Sequence, residues 1–289
     1  MVFEWGLLAA FGAMFSWGIG DFLIQKTVRK IGDLESLTYI GIIGSIVLLP
    51  FVLQDIDIVF TKSNLILLLI LGIITFLVAI INFESLKQGK LSVIEVILEL
   101  ELPVTIALGF LFFKESLSLQ QLIVIALIFI GLILVATRSS HWKNFFKRLE
   151  KGVFLGVLTA IGLGVVNFLT AVSSKQVSPL MAIWVPWVIL TIICLLIISK
   201  EKNLNKLVIH GKKYFTLILA MGVFDTIAWL FYAIAVFGNE ISITTAITES
   251  YVAVALFLGF YINKEKVGWH QFLGAVIALG ASFTLAFLV

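Results

Sequence analysis

Cysteine, histidine, proline and charge are all scarce in this sequence, and each scarcity removes a class of function. The single cysteine, Cys194, has no partner in the chain for a disulfide or a redox pair and reads as a packing residue. The three histidines, His141, His210 and His270, are scattered without metal-ligand spacing. No Walker loop, nucleophile elbow or Cys pair appears either, so no metal, cofactor or catalytic residue is expected. Only 13% of the 289 residues are charged, whereas 61% are hydrophobic and the mean hydropathy is +1.15. A soluble domain carries about a quarter charged residues. The composition is that of an integral membrane protein. The net charge of +3 points to no nucleic acid, because the basic residues fall mainly in short loops where membrane topology accounts for them. The N-terminal stretch lacks the basic region and small-residue cleavage site of a secretory leader, so the first apolar segment is expected to be retained.

What is abundant is apolar runs of about 20 residues, the length of a membrane helix and twice that of a barrel strand. The fold class is therefore an all-α membrane protein. Ten transmembrane helices are expected near 4–25, 34–53, 64–86, 91–113, 119–137, 152–174, 179–199, 214–237, 241–262 and 268–288. The longest polar connection, 138–151, separates five helices from five. Residues 1–140 and 152–289 are then two repeats, joined by a basic linker over 141–151. Its Trp142, Phe145 and Phe146 among Lys143, Lys147 and Arg148 suit either a short interfacial helix or a solvated connection.

The halves repeat one another. Residues 91–121 align without gaps on 241–271, with identities at Ser92/Ser242, Ile97/Ile247, Glu99/Glu249, Val104/Val254, Leu108/Leu258, Gly109/Gly259, Phe110/Phe260, Lys114/Lys264, Glu115/Glu265 and Gln121/Gln271. Gly6, Gly18, Asp21, Phe22 and Leu23 match Gly152, Gly164, Asn167, Phe168 and Leu169 at an offset of 146. An odd number of spans per repeat makes the second half enter the membrane from the opposite face, so the repeats are inverted, as in alternating-access carriers. Sorting the 20 Lys and Arg by side places 17 on one face and only Lys62, Lys114 and Lys175 on the other. By the positive-inside rule the crowded face is cytoplasmic, with both termini outside, in a cell inner (plasma) membrane.

Two five-helix repeats with a Pro, Leu-Gly, Lys-Glu and Gln pattern resemble the drug/metabolite transporter superfamily, specifically its EamA-like ten-helix carriers. The motif residues are Pro103, Gly109, Glu115, Gln121 and Gly131 in the first half and Gly259, Glu265, Gln271 and Gly280 in the second. The resemblance covers the whole chain and implies transport of a small metabolite without naming it. Ala253 stands where the first half has Pro103, so only the first fourth-position helix is expected to kink. Glu115 and Glu265 are expected to cap or brace turns.

The candidate site is built on the paired glutamates. Glu99 and Glu249 each lie about 12 Å into their helices, from opposite faces, near the middle of a roughly 30 Å core. A carboxyl there is costly and by default functional. Ser92 and Ser242, seven residues earlier, share their faces. Pro103 has no N–H for the Glu99 carbonyl, which is expected to be left exposed as an acceptor. Crowded carboxyls that hold protons and release them to a cation would couple opposite fluxes; the alternative is that both are protonated packing residues. Asp225 is taken as an acid lining the site, and Glu95 as a vestibule or simply solvated residue. Trp229 and Tyr251 are the leading π faces for an organic cation, with Trp17, Trp184, Trp187 and Tyr232 as further candidates. Glu101 is expected to point away from Glu99 in a structural or interhelix role, and Asp21 to pair with Lys26.

The sequence thus supports a secondary active transporter of a small polar metabolite, cationic or zwitterionic, with proton coupling as an option. The alternatives are an exporter of neutral metabolites or amino acids without coupling and, more remotely, a membrane enzyme on a lipid-linked substrate. That enzyme would need Arg or Lys beside the carboxyls, and the spans hold almost none. Beyond solute, protons and lipid no partner is required, and a monomer suffices.

Overall fold

A bilayer offers the backbone no water, so apolar runs of this length close their hydrogen bonds internally as helices. The computed structural model describes residues 2–54, 56–88, 97–137, 151–264 and 267–288, and among them there is no strand. In the first half the helices are α1 (Val2–Ile31), α2 (Asp33–Val52), α3 (Lys62–Gln88), α4 (Glu101–Leu108) and α5 (Leu119–Ala136), with a 3-10 turn at Ile56–Phe60. The second half comprises α6 (Lys151–Gln176), α7 (Pro179–Lys200), α8 (Leu204–Lys213), α9 (Phe215–Gly238), α10 (Ile241–Glu249), α11 (Tyr251–Asn263) and α12 (Trp269–Phe287). Among the described residues, nine segments are long and apolar enough to span a membrane, α10 and α11 counting as one. Glu101–Phe113 is a shorter apolar helix at the place of the tenth expected span, 91–113, of which residues 91–96 lie outside the described ones. The linker expected over 141–151 also lies outside them, except for Lys151, where α6 begins.

The major helix contacts join the two halves. α1 packs along α9 and α11, while its repeat mate α6 packs along α3 and α4. α2 lies on its own mate α7, and α5 on α12. One core cluster accordingly draws Ala10, Leu102, Ile128 and Leu132 from the first half and Ala235, Ala246, Ala278 and Leu285 from the second. Lipid is as apolar as leucine, so close packing rather than water exclusion must hold such helices together. The interior is rich in alanine for that reason, and Trp5, Leu111, Phe112, Phe154, Trp269 and Phe287 are left facing outward.

The motif glutamines stitch the same seam twice. Gln121 Oε1 accepts from the Ser118 N–H at 2.8 Å, and Gln271 Oε1 from the Gly268 N–H at 3.0 Å, each bracing the start of its own helix. Their amides then cross to the other half: Gln121 Nε2 donates to the Leu288 carbonyl at 3.2 Å, and Gln271 Nε2 to that of Val135 at 2.9 Å.

Both fourth-position helices break, contrary to the expectation of a single kink. In the first half the residues before Pro103 tighten, with Leu100 N–H bonding Ile97 O at 3.0 Å and Leu102 N–H bonding Glu99 O at 3.3 Å. The Glu99 carbonyl is therefore not the free acceptor expected from Pro103. In the second half Ser250 N–H bonds Ile247 O at 3.2 Å and Ala253 N–H bonds Ser250 O at 3.0 Å, separating α10 from α11 without a proline. The run Ile241 to Ser250 is mostly Ile, Thr and Ser, whose branched or hydroxyl side chains weaken a helix. Ser250 is also drawn to α12, its Oγ lying 2.6 Å from Ser282 Oγ. The equivalent ends match closely: Lys114 and Lys264 both turn left-handed at φ 55°, and each N–H returns to the glycine five residues before it.

Candidate functional site

Two equivalent crossings position the site. A Cβ on Gly18 would lie 2.6 Å from Val254 Cβ, and one on Gly164 would lie 2.5 Å from Val104 Cγ1. Gly18 and Gly164 are repeat mates, as are Val254 and Val104, so α1 meets α11 as α6 meets α4. One turn further along each crossing, the same inversion relates two polar pairs. The Tyr251 hydroxyl reaches Asp21, while Asn167 Nδ2 donates to Glu101 Oε1 at 2.6 Å. Each crossing thus holds one carboxyl and one neutral partner, with the order reversed: the acid is on α1 in one and on α4 in the other.

These pairs converge with the glutamates at the helix breaks. Glu249 has the carboxyls of Glu101, Glu99 and Asp21 as neighbours. Asp225, on α9, faces Asp21, and its buried Oδ2 has no hydrogen-bond partner among the described residues. Glu99 and Glu249 are each only 8% exposed. Among the described residues, no lysine or arginine is a charged neighbour of Asp21, Glu101, Asp225 or Glu249.

An aromatic cluster adjoins this acidic group through Tyr251. Trp17 stands 5.1 Å from Trp229, 5.5 Å from Tyr232 and 6.0 Å from Tyr251, centroid to centroid. Trp187 continues the cluster at 6.0 Å from Trp229. Tyr232 is fixed by a 3.0 Å hydrogen bond between its hydroxyl and Thr245 Oγ1. Trp184 is turned away, its indole N–H donating to the Ser45 carbonyl at 3.0 Å.

Of the residues singled out in the sequence, the structure brings together Glu99, Glu249, Asp225, Trp229 and Tyr251. Ser92 and Glu95 lie outside the described residues. Ser242 is not with the carboxyls: its Oγ donates to Glu115 Oε2 at 2.5 Å, at the start of α10. Two expectations are corrected outright. Glu101 takes the interhelix role, accepting from Asn167 on α6, but it faces Glu249 rather than away, because the break at Glu99 and Leu100 resets the helical register on which its direction was reckoned. Asp21 faces Tyr251 and the acidic group, while the Lys26 ammonium lies over the Phe22 ring at 4.1 Å. The available clue was the repeat itself, in which Asp21 matches Asn167 and Glu101 matches Tyr251.

The lysine-poor end carries a second constellation. Glu115 crosses between halves to cap α10, accepting from Ile241 N–H at 2.5 Å, from Ser242 N–H at 3.1 Å and from the Ser242 hydroxyl. A carboxylate suits a helix N-terminus, where unpaired amides and the helix dipole both favour negative charge. Gly109 makes room, since a Cβ there would lie 2.6 Å from Glu115 Oε2. Lys175 donates to the Asn239 carbonyl at 3.2 Å and rests 4.7 Å over the Phe113 ring. Beside them opens a cavity of about 550 Å³ lined in part by Lys114, Glu115, Gln121, Lys175, Asn239 and Glu240. Burial pushes the Glu240 carboxyl above its ordinary range, nearby Glu115 adds to the effect, and Lys175 opposes it. Among the described residues no cluster of His, Cys, Asp and Glu has the arrangement of a metal site.

A two-repeat helical membrane fold with a buried polar centre defines a multi-pass membrane transporter. The EamA-like transporter family model matches residues 4–137 and 150–287, and the chain belongs to that family. Its function is accordingly to move a small molecule across a membrane. An uncharacterized protein of Methanocaldococcus jannaschii is 30% identical over 121 residues, which are 42% of this chain and 88% of that protein. That relative is about the length of one repeat. A protein crystal structure superposes with a TM-score of 0.77 over 98% of this chain and 96% of the other, and at 12% identity the likeness is one of fold.

Proposed function

We propose that this chain is a secondary carrier for a small organic cation or zwitterion, working by alternating access and exchanging the solute for protons. The carrying observation is the convergence of Asp21, Glu101, Asp225 and Glu249 beside a cluster of tryptophan and tyrosine, with no basic residue as their charged neighbour among the described residues. Buried carboxylates without counter-charge are costly, whereas carboxyls that keep their protons are not. A solute cation supplies the missing charge, and aromatic faces add attraction for an ammonium stripped of water. Solute and protons then compete for one set of oxygens, which suffices for exchange. Glu99, Glu249, Asp225, Trp229 and Tyr251 bind or couple in this reading, and Asp21 and Glu101 join them.

The inverted crossings supply the moving parts. If the α1–α11 crossing opens while the α6–α4 crossing closes, the solute meets each side of the membrane in turn. The Glu115 cap and the Lys175 contact act as the gate at the lysine-poor end. The distribution of Lys and Arg supports that end being external, in a plasma membrane, and a single chain holds both halves of the device.

The test is reconstitution into phosphatidylethanolamine and phosphatidylglycerol vesicles with an entrapped pH dye, followed by addition of amines, quaternary ammonium compounds and amino acids. At least one organic cation should drive protons out of its binding site, with Glu249→Gln and Glu101→Gln abolishing the exchange while folding is retained. Flux of a neutral solute that ignores both pH and these substitutions would instead establish uncoupled export. The observation favouring that second reading is that Asp21 and Glu101 each already have a neutral hydrogen-bond partner.

A further inference from the structure

α8 has no counterpart of its length in the first half, where the same connection is the five-residue turn Ile56–Phe60. Its inner face is seated on α2. Leu207 is buried, the Tyr39 hydroxyl donates to the Leu207 carbonyl, and His210 Nδ1 lies 2.6 Å from Glu35 Oε2. Gly211 permits this seat, since a Cβ there would fall 2.6 Å from Tyr39 Oη.

The rest of its circumference is divided by chemistry. Leu204 and Val208, one turn apart, are 43% and 56% exposed, and Ile209 is 60% exposed. Lys206, Lys212 and Lys213 are exposed beside them. At about 100° per residue, Lys206 and Lys213 fall nearly opposite Val208, Lys212 lies on its flank, and Ile209 lies beyond Lys212 on the lysine side, so the apolar side is Leu204, Leu207 and Val208. That is the division of a helix lying in the plane of a membrane surface, with its apolar side toward the acyl chains. Against the apolar side runs a groove of about 480 Å³, walled by Tyr39, Leu207, Val208, Gly211 and Phe215, with Lys212 as the charged member of its lining. Lys30 and Lys213, each 5.1 Å from the Tyr214 ring centroid, keep this end of the molecule positive on the other flank as well.

We propose that this groove is a binding site for an anionic phospholipid of the lysine-rich leaflet, with an acyl chain along Val208 and Phe215 and the phosphodiester on Lys212. An apolar trough with one cationic edge matches an amphiphile carrying one negative group, and the leaflet beside a lysine-rich face is where such lipids accumulate. The proposal does not depend on the identity of the carried solute.

Native mass spectrometry of the full-length protein in detergent tests it, titrating dioleoyl phosphatidylglycerol, dioleoyl phosphatidylcholine and soluble glycerol 3-phosphate. Phosphatidylglycerol should be retained in preference to phosphatidylcholine, and Lys212→Gln should cut that preference about fivefold, the size expected for one lysine near an anionic headgroup. Lys212→Arg keeps the charge and should keep the preference; Val208→Trp fills the groove and should weaken both lipids. Lys62→Gln, at the opposite face, should change nothing. Melting temperatures without lipid establish that each variant is folded. Equal retention of the two lipids, or a preference untouched by Lys212→Gln, overturns the proposal. Displacement of phosphatidylglycerol by glycerol 3-phosphate also overturns it, since the site would then recognise a phosphate without its chains.

Discussion

Removing the carboxylate of Glu115 should loosen the lysine-poor end without unfolding the protein. Three hydrogen bonds end on this group, two from the first amides of α10 and one from the Ser242 hydroxyl. Hydrogen bonds to a charged group are worth about 1.5–3 kcal/mol each. Adding three such values overstates the loss, because the adjoining cavity of about 550 Å³ can admit water to the released amides. What remains is the loss of a helix cap, about 0.5–2 kcal/mol, and of a favourable dipole interaction, about 0.3–1 kcal/mol. A total of about 0.8–3 kcal/mol shifts the balance between closed and open ends by roughly 4- to 160-fold. The reporter is Thr244→Cys in a Cys194→Ser background, because Thr244 lies just beyond the cap and is 1% exposed. Its labelling by a charged, membrane-impermeant maleimide should accelerate by that factor in Glu115→Ala and by less in Glu115→Gln, whose amide oxygen still accepts. Gly109→Ala should act in the same direction by crowding the carboxylate. Labelling within twofold of the parent in both Glu115→Ala and Gly109→Ala would refute the gate.

Three further outcomes follow from local geometry. Ser250→Ala and Ser282→Ala should each destabilise the protein modestly, and a double-mutant cycle on unfolding in mixed micelles should give a coupling of about 0.6 kcal/mol, the average for polar pairs between membrane helices. Gly18→Leu and Gly164→Leu should both abolish a monodisperse peak on size exclusion, whereas Gly280→Leu, with nothing within 4 Å of its Cβ position, should not. Glu240→Gln should raise the melting temperature at pH 7.5: a carboxyl pushed up in the folded state costs stability once ionised, and the gain should fade as pH falls toward its ordinary 4.5. A variant no more stable than the parent at both pH values would contradict that environment for Glu240.

The scaffold was legible in the sequence because lipid makes strong demands on composition. Apolar runs, a lysine count by side and a self-alignment are enough for ten spans and two inverted halves. The breaks were harder to read. Pro103 announces one, but the other depends on a threonine-rich stretch and on Ser250 finding Ser282, a partner 32 residues away. The same gap explains the two misplaced acids. Reckoning directions along an unbroken helix turns Glu101 away from Glu99, and a tightened turn between them is enough to bring it inward. Asp21 looked paired with Lys26 because only neighbours along the chain were visible, whereas Tyr251 reaches it from a helix 230 positions on. Spacing alone puts Ser242 on the helix face of Glu249, yet its position at the first turn of α10 commits it to the cap.

The inversion is kept in backbone and broken in chemistry, and that combination constrains the transport cycle. Lys114 and Lys264 share one left-handed conformation, Gly18 and Gly164 share one clearance, and the motif glutamines make equivalent bonds. Two crossings of equal shape can exchange roles between outward and inward states at little difference in strain, which is what alternating access needs. Their polar pairs are not equal: Asp21 with a tyrosine holds one, and Glu101 with an asparagine holds the other. In the proposed cycle each state would therefore be held by a carboxyl in a different setting, so the affinity for solute and protons should differ between the two faces. An unequal affinity on the two sides changes how fast a carrier fills and empties in each direction. In that proposed cycle the driving gradient still sets the direction of net flux, because a secondary carrier cannot supply it.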